Sequence, residues 1–206
     1  MKIELLHKHL LDIKDGDNIS FGGSQGWYNR EWSQKAGCGP TTASNIVWYL
    51  SNTRENLKCL CVQDGFCRAG FADIMSDMWD YVTPGSMGVN KVSMLTRGVI
   101  KYAAKRGAAI KAQSFPVPRV AACRAPWQEA SAFLADTLSR DLPIAFLNLS
   151  KGELKNLDTW HWVTITAFDD QTGQAEISDE GVRKEIDMCL WYRTTKMGGG
   201  LAALCE

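Results

Sequence analysis

Cys38 lies between two glycines in the stretch AGCGPTTASN, directly before an apolar segment with helical spacing. Pro40 suits the first turn of a helix, where its missing N–H is not needed. The N–H groups and the dipole at a helix N-terminus stabilise a thiolate, and flanking glycines leave room for a substrate backbone. This placement favours a nucleophilic cysteine. The alternative is a small buried residue at a tight junction between loop and helix.

A thiolate nucleophile usually works with an imidazole, and the chain has three histidines. His7 and His9 belong to a charged N-terminal segment and are expected on a solvated face. His161 stands in WHWVTITAFDD, at the start of an alternating segment that predicts a half-buried strand. Taken by itself, His161 is consistent with a histidine in the core whose hydrogen bond is satisfied. Paired with a cysteine far upstream, which the fold can bring close, it becomes the expected general base.

Three aspartates after His161 are candidates to orient its ring. Asp169 and Asp170 fall in a turn at the far end of the His161 segment. Asp179 follows the next strand, and it returns toward His161 if the two strands form a hairpin. We therefore expect Asp179 to accept a hydrogen bond from Nδ1 of His161. The alternative is that SDEG is only a polar turn.

The hydrophobic period changes along the chain, from helical spacing to alternation after Pro143. Residues 1–36 predict an irregular opening segment, with GGSQG as a loop. The helical part, about 38–140, and the sheet part, about 143–206, predict one α+β domain with helices packed on an antiparallel sheet. The predicted helices are 38–50, 71–82, a segment capped by Asn90 and ending at Gly107, and 127–138. The predicted strands are 110–115, 144–149, 160–168, 175–178, 184–192 and 201–205.

The composition excludes several classes of protein. With 206 residues, 45% hydrophobic and 22% charged, the chain is an ordinary globular domain and not a disordered segment. Lys+Arg and Asp+Glu both number 23, so the net charge attracts neither nucleic acid nor anionic lipid. No apolar stretch is long enough to span a membrane. We therefore expect no nucleic-acid partner and no membrane span, and the sequence leaves the oligomeric state open.

The seven cysteines are odd in number and irregularly spaced, which does not favour a disulfide framework. With no apolar core of a signal peptide at the start, we expect a cytoplasmic protein. A secreted or surface protein is the alternative if a signal peptide was removed. Cys59, Cys61 and Cys67 have no fourth ligand nearby, so we expect surface thiols and no metal. No phosphate-binding or dinucleotide motif is present, so no cofactor is expected.

Three segments together resemble the papain-like cysteine peptidases: GCGPTTASNIVWYL, HWVTITAF and ISDEG. Within that family, these segments most resemble the group of peptidases that process bacteriocins with double-glycine leaders. The resemblance covers the cysteine helix and most of 143–206. It implies a papain-like fold, a triad of Cys38, His161 and Asp179, and hydrolysis of a peptide or amide bond through a thioester. An acyl transferase with the same triad, or an inactive binding or accessory module, is the alternative.

The family also has a glutamine shortly before the cysteine for its oxyanion hole, where this chain has Trp32. Gln25, in the glycine-rich loop, and Gln34 are the substitutes, and Gln25 is preferred because the glycines let its loop fold back. Either amide, with the Cys38 N–H, can donate to a tetrahedral oxyanion.

Several tryptophans lie next to the proposed catalytic residues in the sequence. Their rings predict the walls of a narrow cleft, although they can equally fill the core. The resemblance implies a small residue, glycine or alanine, before the scissile bond. The tryptophans are Trp27, Trp32, Trp160 and Trp162.

Overall fold

The fold is α+β, as the sequence predicts, in a computed structural model that describes all residues 1–206. The predicted helical part and the predicted sheet part of the chain both contribute strands to one antiparallel sheet. The helices are α1 (Glu31–Ala36), α2 (Cys38–Thr53), α3 (Arg68–Trp79), α4 (Val92–Lys105), α5 (Trp127–Ser139) and α6 (Met188–Thr194). The strands are β1 (Lys2–Glu4), β2 (Asp12–Asp15), β3 (Asn18–Phe21), β4 (Lys111–Val117), β5 (Ile144–Asn148), β6 (His161–Asp169), β7 (Gln174–Asp179), β8 (Val182–Asp187) and β9 (Gly199–Cys205).

The main sheet has the strand order β4-β9-β5-β6-β7-β8, with every pair antiparallel. The last strand, β9, inserts between β4 and β5. At the other end of the chain, β1 pairs with the final residues of β6. Strands β2 and β3 form a separate hairpin. The site strands β6 and β7 therefore lie inside the sheet, held on both sides.

Helices cover both faces of the sheet. One core cluster joins α2, α3 and α4 to residues such as Trp162, and the other joins α5 and α6 to residues such as Val163 and Ile165. Residues 161–168 are consequently buried on both faces, not half-buried as their alternation suggests. No helix is both long and apolar enough to cross a bilayer.

Three sequence predictions of elements are wrong. Residues 1–36 are not irregular throughout, because they contain β1, the β2–β3 hairpin and α1. The predicted strand 184–192 divides into β8 and α6, since the Asp187 carboxylate accepts a hydrogen bond from the Leu190 N–H at 2.8 Å and caps a new helix. Asn90 is not the cap of α4, which begins after Lys91 without a side-chain cap.

A register shift in β6 also changes which face its later residues occupy. The pairing with β7 is irregular between Ile165 and Ala167, as in a β-bulge. A bulge reverses the alternation beyond it. Phe168 therefore packs in the same cluster as Val163 and Ile165, whereas strict alternation places it on the opposite face.

Candidate active site

Cys38 is the first residue of α2, which follows α1 after the single residue Gly37. The thiol is half-buried and lines a cavity. The flanking glycines are explained by protein neighbours. A Cβ on Gly37 would lie 2.4 Å from the Ser33 carbonyl oxygen, and one on Gly39 would lie 2.8 Å from Val89. The glycines thus allow the tight junction that presents Cys38 at a helix N-terminus.

His161 and Asp179 meet across the β6–β7 hairpin. Thr164 pairs with Ser178, and this register brings the end of β7 back to the start of β6. Nε2 of His161 lies 2.6 Å from Oδ1 of Asp179, and both side chains are buried. The expectation that Nδ1 faces the aspartate is therefore wrong. The ring is oriented by Nε2, which leaves Nδ1 available to a nucleophile.

The charges around His161 favour its protonated form. Burial lowers its pKa, but the hydrogen bond with Asp179 and the nearby Cys38 side chain outweigh this and raise the pKa to about 10. The Cys38 side chain is therefore near enough to the ring to affect its charge, and contacts of this kind typically tighten when substrate binds. Burial raises the pKa of Asp179, and His161 and Lys184 together bring it below its usual value. The Lys184 ammonium lies 2.7 Å from Oδ2 of Asp179.

Backbone strain is concentrated beside this pair. Three non-glycine residues have positive φ, and two of them are Trp160, directly before His161, and Glu180, directly after Asp179. The left-handed conformation is unfavourable for such side chains by about 1–3 kcal/mol each, and it persists where the surroundings fix it. Glu180 and Gly181 form the two-residue turn between β7 and β8, where a positive φ at both positions is common. The strain that no such turn explains is at Trp160, directly before His161.

The two candidate glutamines have different surroundings. Nε2 of Gln34 donates to the Tyr28 carbonyl oxygen at 2.7 Å, so Gln34 holds the preceding loop in place. Oε1 of Gln25 is buried without a hydrogen-bond partner. Gln25 also neighbours the Asp179 turn, because Ser24 Oγ donates to Glu180 at 3.0 Å. Gln34 is therefore engaged with the backbone of the loop, whereas the oxygen of the Gln25 side chain has no partner.

Cys38 opens onto a cavity of about 300 Å³ with mostly apolar walls. Trp32 and Trp160 line it and remain 52% and 39% exposed, so their rings are available to a ligand. The other two tryptophans do not contribute. Trp162 is buried and donates to the Val89 carbonyl oxygen, and Trp27 packs edge-on against Phe71. The remaining lining residues are Lys35, Ala36, Ser86, Met87, Gly88, Val89, Leu147 and Leu149.

All seven cysteines are free thiols. Burial raises the pKa of Cys61 to about 11, whereas Cys59 and Cys123 are exposed. The one group with three potential ligand atoms within 4.8 Å of one another is His161, Asp179 and Glu180. The ammonium on Asp179 opposes a cation there, so these residues fit a hydrogen-bonded pair better than a metal centre.

Lys184 and Asn45 are two further candidate functional residues, and neither was predicted from the sequence. Lys184 carries no signal in the sequence, because an exposed-looking lysine on an edge strand is ordinary. Asn45 does carry one: it is an amide in a helix that is otherwise apolar on most sides, two turns after Cys38. It is buried, and its amide is fully hydrogen-bonded.

No protein-family model matches this sequence, and comparison with curated proteins finds no relative.

Proposed function

We propose that this protein is a papain-like cysteine hydrolase that cleaves peptide or amide bonds through a thioester at Cys38. The observation that carries the proposal is the buried pair of His161 and Asp179 at 2.6 Å, next to a cysteine at a helix N-terminus. A nucleophile, a base and a residue that orients the base are the parts that nucleophilic catalysis needs. The antiparallel sheet that carries the histidine, packed on the cysteine helix, supports the papain-like assignment.

The reaction follows from these positions. The Cys38 thiolate attacks the carbonyl carbon and forms a C–S bond, while the charge on the oxygen is stabilised by the Gln25 amide. The C–N bond then breaks, and protonated His161 gives its proton to the leaving amine. Water then attacks the thioester and gives a proton to His161, and the C–S bond breaks, which releases the acid and restores the thiolate and protonated His161. Asp179 holds the ring through Nε2 in every step.

Selective alkylation tests this proposal. An imidazolium and a helix N-terminus both favour a thiolate. At pH 6 we expect iodoacetamide to label Cys38 at least about tenfold faster than the exposed thiols Cys59 and Cys123. Labelling rates for each cysteine can be followed by peptide mass spectrometry. Equal rates at the three positions would reject Cys38 as a nucleophile and favour an inactive binding module.

The cavity beside Cys38 suggests the chemistry of the acyl group. Its apolar walls favour an apolar side chain, and no acidic residue lines the cavity to pair with a cationic one. In a panel of fluorogenic peptides that differ at the residue before the scissile bond, we expect glycine, alanine or leucine to be cleaved faster than arginine. Faster cleavage of the arginine peptide would contradict this. Selective labelling without cleavage of any peptide would favour the acyl transferase.

A substitution at Trp32 tests whether the cavity beside Cys38 binds the acyl group. Trp32→Ala removes an exposed ring on α1, so we expect KM for the leucine peptide to rise about 5- to 50-fold while kcat changes little. Ile19→Ala is the control, because Ile19 is also an exposed hydrophobic residue but does not line the cavity. An equal effect of both variants would show that the cavity does not bind the acyl group.

A further inference from the structure

One buried amide connects all the segments that carry the candidate site. Asn45 lies on α2, the helix that begins at Cys38. Its Nδ2 donates to Thr164 Oγ1 on β6 at 3.0 Å and is 3.4 Å from Ser178 Oγ on β7. Its Oδ1 accepts from the Gly23 N–H at 2.9 Å, in the loop that carries Gln25. Both ends of the amide are thus used, which fixes its orientation.

The loop is held from a second direction by Ser178. Ser178 Oγ donates to the Phe21 carbonyl oxygen at 2.6 Å, so the hydroxyl links β7 to the same loop. Gly22 lies between these contacts with φ +79°, and a Cβ there would be 2.3 Å from Ser178 Oγ and 2.9 Å from the Asn45 amide. Only glycine fits, because the conformation and the space both exclude a side chain.

We propose that Asn45 is a positioning residue with two separate tasks in the reaction assigned above, on which this inference rests. Through Thr164 it sets the His161 strand against the Cys38 helix. Through Gly23, together with Ser178, it sets the Gln25 loop against the same helix. A small displacement of a reacting group, far from any change in chemistry, lowers the rate by up to about 100-fold.

The two tasks have different experimental signatures. Alkylation by iodoacetamide depends on the thiolate and His161 but develops no oxyanion. A simple aldehyde adds to the thiolate to give a hemithioacetal, whose oxygen needs the Gln25 donor. Protection of Cys38 from iodoacetamide by acetyl-leucinal therefore measures the oxyanion site without any turnover.

We expect Thr164→Val to slow labelling of Cys38 at pH 6 about tenfold or more, because only the link to the His161 strand is lost. Ser178→Ala should leave the labelling rate within about twofold and weaken protection by the aldehyde about tenfold. Asn45→Ala should show both defects. Asn45→Asp keeps an acceptor for Gly23 but loses the donor, so we expect the labelling defect to exceed the loss of protection.

Tyr49→Phe is the control for a purely structural role. It removes buried hydrogen bonds from the same helix, to Asp141 and to the His7 N–H, away from the site. If Tyr49→Phe changes labelling and protection as much as Thr164→Val and Ser178→Ala at equal loss of thermal stability, the inference is overturned. The inference is also overturned if Thr164→Val and Ser178→Ala show the same combination of defects. It is overturned as well if acetyl-leucinal fails to protect Cys38 of the wild-type protein from labelling. Unselective labelling of wild-type Cys38 instead rejects the proposed function itself.

Discussion

Replacing His161 with alanine is expected to lower peptide cleavage about 10²- to 10⁴-fold and to slow alkylation of Cys38 at pH 6. The imidazole is the only base beside the thiol, and its pKa of about 10 keeps it protonated over the neutral range. In the proposed reaction, the charged ring favours the thiolate and supplies the proton to the leaving amine. Without it, Cys38 keeps only the helix N-terminus.

The measurement is a pair of rates, kcat/KM for a fluorogenic peptide and the labelling rate of Cys38 against pH. In the wild type we expect the rate constant for labelling to remain high well below neutral pH. In the variant it should rise with pH as for an ordinary thiol. His9→Ala is the matched control, since His9 is exposed and does not line the cavity. A variant that retains full cleavage would exclude His161 as the base.

The contact between His161 and Asp179 and the position of Cys38 at a helix N-terminus could be predicted from the sequence. Cys38 stands between glycines before an apolar helix, and Asp179 ends the strand that follows the His161 strand. The ring nitrogen that meets Asp179 could not be predicted, because it depends on the rotamer of His161 within the folded sheet. The same limit applies to Asn45, whose partners come from three other segments.

The elements that could not be predicted from the sequence are short, or they form by pairing with strands that are distant in the sequence. Strand β1 has three residues and is ordered by pairing with β6, across nearly the whole chain. The position of β9 between β4 and β5 is likewise a property of the sheet and not of its sequence. Helix α6 begins where an apolar run follows a strand, and only the Asp187 cap separates the two elements.

Replacing Asp179 with asparagine is expected to lower the free energy of unfolding by about 3–5 kcal/mol near pH 5.5, because it leaves the His161 charge buried without its partner. Of the groups that raise the pKa of His161, only Cys38 then remains to oppose burial, so this pKa should fall from about 10. A smaller fraction of the ring is then protonated at pH 7, so labelling of Cys38 at that pH should slow as well. Lys184→Ala is the control, since it leaves the contact at 2.6 Å intact and should have a smaller effect on both measurements.

The loss of stability should depend on pH in a defined direction. The pKa of His161 is raised in the folded state, so its contribution is complete below about 6.5 and disappears as pH rises through about 10. The pKa of Asp179 is lowered, so its contribution is complete above its ordinary 3.8 and disappears as pH falls through the folded value. Urea unfolding of wild type and Asp179→Asn should therefore differ most between pH 4 and 6.5 and converge above pH 10. A difference that stays the same at pH 5.5 and pH 10.5 would mean that His161 and Asp179 do not form a charged pair.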